Sequence, residues 1–155
     1  MKPDVFTQIY IQLVFSPKGR EELFRKRDDR ERVWSYMSKT LTNKGNKSII
    51  VNGMADHVHL FLGLNPKISI SDLVRDLKRS SSSWINEQKW FPGTFAWQEG
   101  YGAFSYGRSQ IDAVYRYIQA QEEHHAKRSF KDEYIALLKR FEIEFKEPYL
   151  FEFYE

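Results

Sequence analysis

The run Ser48-Ile49-Ile50-Val51-Asn52-Gly53-Met54-Ala55-Asp56-His57-Val58-His59-Leu60-Phe61-Leu62-Gly63-Leu64 holds two strands in immediate succession. Ser48–Asn52 is apolar and β-branched, as a strand requires. Gly53-Met54 marks a turn or bulge, and Asp56 to Leu64 is apolar again. Upstream, residues 21–43 carry Leu23, Phe24, Val33, Trp34, Met37 and Leu41 as the buried stripe of a helix, which Asn43-Lys44-Gly45-Asn46 stops. Downstream, Asn65-Pro66-Lys67 ends the strand and Ser69 or Ser71 caps a second helix. Its stripe is Ile70, Leu73, Val74, Leu77, Trp84 and Ile85; Ser80–Ser83 lower its propensity without forbidding it. Residues 6–15 and 94–106 also read as strands, the latter followed by a flexible link. Ser109 then caps a helix from Gln110 to Lys127, and a shorter one spans Lys131–Phe141. The order β-α-β-β-α-β, then α, predicts an α+β fold: a ferredoxin-like antiparallel sheet with helices on one face.

Composition bounds the function. The 155 residues suffice for one domain, and 41% hydrophobic content with 16% aromatics supports a packed core. Residues 1–128 are expected to form one domain, with 129–155 as a C-terminal helix and aromatic tail packing on it or on a second copy. Cysteine is absent, which excludes disulfides, thiolate zinc sites and a cysteine nucleophile. A metal would have to be held by histidine, carboxylate or amide oxygen. The net charge of +3 is only a weak pointer to an anionic partner. Met1-Lys2-Pro3-Asp4 opens no signal-peptide pattern and the apolar runs are too short for a membrane span, so a cytoplasmic setting is expected.

Four histidines are present, at 57, 59, 124 and 125. In a strand His57 and His59 share one face, where two imidazoles can converge on a metal ion. A pair of ordinary half-exposed strand histidines is the simpler account of that motif alone. On the late helix Ile111, Val114 and Ile118 define the core face and Tyr115 lies beside it as a packing aromatic. Tyr117 and Gln121 stand one turn apart on another face, which His124 extends. Taken alone, an ordinary polar helix face is the simpler account of them. A tyrosine can attack phosphorus, but its free pKa of about 10 leaves little phenolate at neutral pH, so it needs help, which a divalent ion can supply. Two histidines and an amide oxygen suit Mg²⁺ or Mn²⁺ with open positions for phosphate oxygens. Asp56 is either a carboxylate orienting His57 or, more simply, a solvated residue. Arg75, Lys78 and Arg79, with the Ser80–Ser83 hydroxyls, are candidate contacts for a DNA backbone, or a solvated helix face.

His57-Val58-His59 looks like the HUH motif (histidine, hydrophobic, histidine). Tyr117-Ile118-Gln119-Ala120-Gln121 looks like the Tyr-x-x-x-Gln signature of a catalytic helix. With Trp97-Gln98-Glu99-Gly100-Tyr101-Gly102-Ala103-Phe104-Ser105 and Glu122-Glu123-His124-His125, these resemble the single-tyrosine (Y1) HUH transposases of the IS200/IS605 insertion sequences, from the first strand to about residue 147. The resemblance implies an RRM-like, HUH-endonuclease type of the ferredoxin-like sheet. It implies a homodimer that acts on single-stranded DNA and recognises hairpins at element ends. Tyr117 would be the nucleophile, forming a 5′-phosphotyrosine and leaving a 3′-hydroxyl, with His57, His59 and Gln121 holding Mg²⁺ or Mn²⁺. The tyrosine helix can serve the partner subunit's site in that family, and Gly100, Gly102 and Gly107 would allow such movement. His124 and His125 fall outside the ligand pattern; His124 is kept as an accessory residue near the site face. Two alternatives stand beside this reading: a host-domesticated REP-associated relative using the same residues, and a catalytically silent RRM-like nucleic-acid-binding module.

Overall fold

The computed structural model describes residues 5–19 and 25–153. Leu23 and Phe24, expected in the first helix stripe, lie outside the described residues. Four strands, β1 (Tyr10–Phe15), β2 (Lys47–Met54), β3 (His57–Gly63) and β4 (Gly102–Tyr106), form one antiparallel sheet in the order β2-β3-β1-β4. This is the split βαβ arrangement that the sequence predicts: β3 sits between β1 and β2, and β4 takes the far edge.

The helices are α1 (Arg27–Asn43), α2 (Ile70–Gln88), α3 (Ile111–Gln119), α4 (Gln121–His125) and α5 (Phe130–Arg140). Antiparallel register puts Leu13, Leu60 and Val51 on one face of the sheet and Val14, His59 and Asn52 on the other. The first face packs against α1 and α2, the two helices of the split βαβ arrangement. Here Phe15 meets Trp97, whose indole donates to the buried Ser81 hydroxyl on α2 (2.9 Å). The second face is closed by the C-terminal helices α3 to α5. The tail follows them, with Phe151 buried against Phe130 and Tyr134, and Gln98 exchanging bonds with the Glu152 backbone.

Element boundaries depart from the sequence expectation for identifiable reasons. The first strand starts at Tyr10 because its partners end at Gly63 and Tyr106, leaving residues 6–9 without a ladder. The fourth strand is confined to residues 102–106; before it, Lys18 and Gln98 make backbone bonds across an isolated bridge, and Gly100 turns the chain at φ 86°. The tight corner between β2 and β3 is Ala55-Asp56, and Gly53 beside it is irreplaceable on steric grounds. A Cβ there would sit 2.2 Å from the His57 carbonyl oxygen.

Ser69 is the α2 cap and Ser129 caps α5, each accepting from the amide three residues on. Ser109 is not a cap; it lies in a short 3-10 turn, Arg108–Gln110, that leads into α3. The helix expected over 110–127 is interrupted at Ala120. Asn52 on β2 donates to the carbonyls of Ile118 (2.9 Å) and Gln119 (3.3 Å), which an unbroken helix would commit to residues 122 and 123.

Candidate active site

The second face of the sheet buries polar groups that a core would ordinarily refuse. Gln12, His57, His59, Gln121 and Glu133 are each 2% exposed or less. β3 supplies the two imidazoles, α4 the amide, and α5 the carboxylate. The sheet sets the histidine spacing; the break at Ala120 still leaves Tyr117 and Gln121 on the same neighbour, Glu133.

His57 Nδ1 faces Asp56 Oδ1 at 2.8 Å, and its Nε2 faces Gln121 Oε1 at 2.8 Å. Both partners are acceptors, so both ring nitrogens carry protons in this arrangement. Burial opposes the cation, but the Asp56 bond and the Glu133 charge outweigh it and hold His57 above its ordinary pKa. Asp56 is therefore not merely solvated; the bond to His57 overcomes its burial and pulls its own pKa down. His59 behaves oppositely: burial pushes it down, and it stays neutral. Its Nε2 lies 3.0 Å from Glu133 Oε1 and its Nδ1 lies 2.8 Å from the Gln12 amide.

Glu133 is the centre of the cluster. Its Oε1 also lies 3.5 Å from His57 Nε2 and 3.3 Å from His125 Nε2, while Oε2 accepts from Gln121 Nε2 (3.2 Å) and from the Tyr117 hydroxyl. Burial would neutralise this carboxyl, but the surrounding histidines keep it ionised well below the carboxylate range. Burial and the Glu133 charge together drive Tyr117 well above the usual phenol pKa, so no phenolate is preformed. His124 stacks on Tyr117 with centroids 4.6 Å apart. A cavity of about 370 Å³ between α3 and α5 opens onto Tyr117 and Glu133, with Arg128 and Arg140 at its rim.

Of the residues singled out in the sequence, His57, His59, Tyr117 and Gln121 meet within one chain, with His124 beside them. Arg75, Lys78 and Arg79 lie on α2, across the sheet from this cluster. Arg75 is paired with Asp72 and Asp76. Lys78 donates to the carbonyls of Gln98 (2.8 Å) and Gly100 (2.6 Å), and burial pushes its pKa down to about 8. Gly102 and Gly107 lie in or just after β4 without positive φ; Gly102 is needed because a Cβ would fall 2.8 Å from the Tyr134 hydroxyl. Tyr115 is 37% exposed and takes no part.

Glu133 belongs to no motif in the sequence, and His125 lies in the Glu122–His125 stretch but outside the ligand pattern. One signal was available for Glu133. It sits among Phe130, Tyr134, Leu137 and Leu138 on the apolar stripe of α5, where a carboxylate demands a polar partner across the interface. His57, His125 and Glu133 each offer one ligand atom within 4.8 Å of the others. His57 Nε2 lies 2.8 Å from Gln121 Oε1, and Glu133 Oε1 lies 3.0 Å from His59 Nε2 and 3.5 Å from His57 Nε2. Neighbouring ligands on an octahedral ion at about 2.1 Å stand about 3 Å apart, so this donor set fits a small divalent cation.

Residues 5–121 match the model of the family described as transposase, IS200 like. The chain belongs to the IS200-like transposases. The transposase of insertion sequence element IS200 from Salmonella typhimurium LT2 is 34% identical over 76 residues, 49% of either chain, and the Salmonella typhi protein aligns to the same extent. The IS200-like chain thus spans about half the length of the curated relatives it matches. Among solved structures, a transposase candidate from Deinococcus radiodurans R1 superposes with a TM-score of 0.60 at 21% identity, over 78% of this chain and 96% of its own. A REP-associated tyrosine transposase, solved bound to a REP hairpin, superposes at 0.57 and 10% identity over 81% and 74%. Both share the fold. The IS200-like model ends at Gln121, so Glu133 and His125 lie beyond the matched segment. No helix among the described residues is long and apolar enough to cross a membrane.

Proposed function

We propose that this IS200-like chain cleaves and rejoins single-stranded DNA at insertion-sequence ends, with Tyr117 as nucleophile. The observation that carries the reading is the convergence of Tyr117, His57, His59 and Gln121 on one buried spot. His57, His59 and Gln121 are the proposed ligands of Mg²⁺ or Mn²⁺, and Glu133 joins them as a carboxylate ligand. When bound, the ion polarises the scissile phosphate and balances charge developing on it. Tyr117 Oη forms a bond to phosphorus as the bond to the 3′-oxygen breaks. This leaves a 5′-phosphotyrosine and a 3′-hydroxyl, and the ester conserves the bond energy for rejoining. Because the phenol is protonated, its proton must leave during the attack, and Glu133 Oε2 already accepts that hydrogen bond.

In this reading residues 1–128 form the catalytic domain and 129–155 its C-terminal cover. The DNA partner carries hairpins at the element ends; the chain acts as a homodimer in the cytoplasm, with Tyr117 serving its own His pair or the partner subunit's. A host-domesticated enzyme would use the same residues, and terminal hairpins flanking the gene separate the two cases. Incubation with Mn²⁺ and single-stranded element-end DNA is expected to give a covalent protein–DNA adduct that Tyr117→Phe abolishes. Adduct formation by Tyr117→Phe, or none by the native chain, sinks the assignment; metal-independent hairpin binding alone would mark a silent binding module.

A further inference from the structure

Gln12 lies at the middle of β1 and is 1% exposed. Its amide bridges two groups on the neighbouring strands. The Tyr106 hydroxyl on β4 meets Gln12 Oε1 at 2.7 Å, and Gln12 Nε2 meets His59 Nδ1 on β3 at 2.8 Å. The proton positions in this chain are coupled. If the hydroxyl donates to Oε1, the amide faces His59 with a donor, and Nδ1 must accept. Neutral His59 then carries its proton on Nε2 and donates it to Glu133 Oε1, 3.0 Å away. A nitrogen holding that proton has no lone pair to offer a cation.

The same heavy atoms permit a second arrangement. Turning the Gln12 amide over places Oε1 against Nδ1, which becomes the N–H, and lets Nε2 donate to the Tyr106 oxygen. The hydroxyl hydrogen then turns away from Gln12; Tyr106 lines the cavity of about 370 Å³. His59 Nε2 is now bare and aimed at the spot shared by His57, Gln121 and Glu133. We propose that Gln12 and Tyr106 are positioning residues that select the tautomer of His59, and that the amide turns over when a divalent cation enters. The proposal rests on the reading of His57 and His59 as ligands. Outer partners of this kind fix the tautomer of metal-bound histidines in general and change ion affinity by about 10–100-fold. Here the outer partner is an amide that pairs with either tautomer, so His59 Nδ1 keeps its hydrogen bond with and without the ion.

The test reads ring nitrogens rather than activity, by ¹⁵N NMR of histidine-labelled protein without ion and with Zn²⁺ as a diamagnetic probe. Mn²⁺ affinity is measured in parallel from the spectrum of the free ion. In the native chain His59 is expected to hold its proton on Nε2 without ion, and on Nδ1 with Zn²⁺. Gln12→Glu can only accept from the ring, so Nδ1 is protonated even without ion and Mn²⁺ binds at least as tightly as in the native chain. Gln12→Leu leaves Nδ1 without a partner and weakens Mn²⁺ about tenfold at equal folded fraction. Tyr106→Phe removes the donor that fixes the amide, giving mixed tautomers without ion and Mn²⁺ binding no weaker than native. If both imidazoles respond to Zn²⁺ while the His59 tautomer ignores Gln12, the proposal alone fails. If neither imidazole responds to Zn²⁺, the ligand reading fails and takes the proposal with it.

Discussion

The two faces of the sheet solve the burial problem in opposite ways. Toward α1 and α2 the strands present Leu13, Phe15, Val58, Leu60 and Leu62, each fully buried and without a polar atom to satisfy. Toward α3, α4 and α5 the same strands bury Gln12, His57 and His59, and every one needs a partner from a helix or a neighbouring strand. No buried side-chain nitrogen or oxygen among the described residues is left unpaired. Removing water from apolar surface stabilises the first face, whereas the second relies on a closed network that replaces hydration only when complete. A face of that second kind is a poor stabiliser and a good place to hold charge out of water, which phosphoryl chemistry requires.

Substitution should therefore register differently on the two faces. Leu60→Ala on the apolar face is expected to cost about 2–5 kcal/mol, read from chemical denaturation, because the cavity it leaves is walled by Leu13 and Val51 on both sides. Glu133→Gln on the polar face keeps the shape and costs about 1–2 kcal/mol. Its main effect falls on the ion: Mn²⁺ affinity drops tenfold or more with loss of the carboxylate ligand. Unchanged or tighter Mn²⁺ binding would make Glu133 an occupant of the ion's seat and remove it from the ligand set.

The contrast also explains what could be read in advance. The apolar face was legible because period-2 and period-3.6 patterns report it directly, and Val33, Trp34, Met37, Leu41, Leu73, Val74 and Leu77 all reach the core. The strand His pair and Tyr117 with Gln121 were legible as motifs. Glu133 showed only as a carboxylate on the apolar stripe of α5; its partners were hidden, because they depend on α5 folding back across the sheet. The break at Ala120 was equally hidden, since nothing near residue 120 announces that Asn52 will take the Ile118 and Gln119 carbonyls.

The polar face should further betray itself in pH dependence. His57 is raised above 6.5, so its contribution to stability is present below pH 6.5 and is lost as pH climbs through its folded value. His59 is lowered, so its contribution is present above pH 6.5 and is lost as pH falls from there. Of the groups facing the pair, which include His125 and Tyr117, the carboxyls Asp56 and Glu133 both have depressed pKa values and stay ionised across this range. Without ion, melting temperature should thus peak near pH 6.5. Ligation requires His57 to give up a proton, so saturating Mn²⁺ should move the peak to higher pH. A melting profile that Mn²⁺ lifts equally at pH 6 and pH 8 would detach His57 from the ion.

The smallest effect belongs to the helical side of the apolar face, where α2 carries Arg75, Lys78 and Arg79. These three are not equivalent. Arg75 is committed to Asp72 and Asp76, and Lys78 holds the Gln98–Gly100 loop through two carbonyls, so removing Lys78 should disturb the chain that leads into β4. Arg79 is exposed, and Arg79→Ala should change stability by no more than about 0.5 kcal/mol. If α2 follows a DNA backbone, that substitution removes one phosphate contact. Hairpin affinity then falls modestly, and the slope of log affinity against log salt becomes shallower by about one. A slope identical to that of the native chain would mean that α2 is solvated, and that DNA is engaged from the Tyr117 side of the sheet alone.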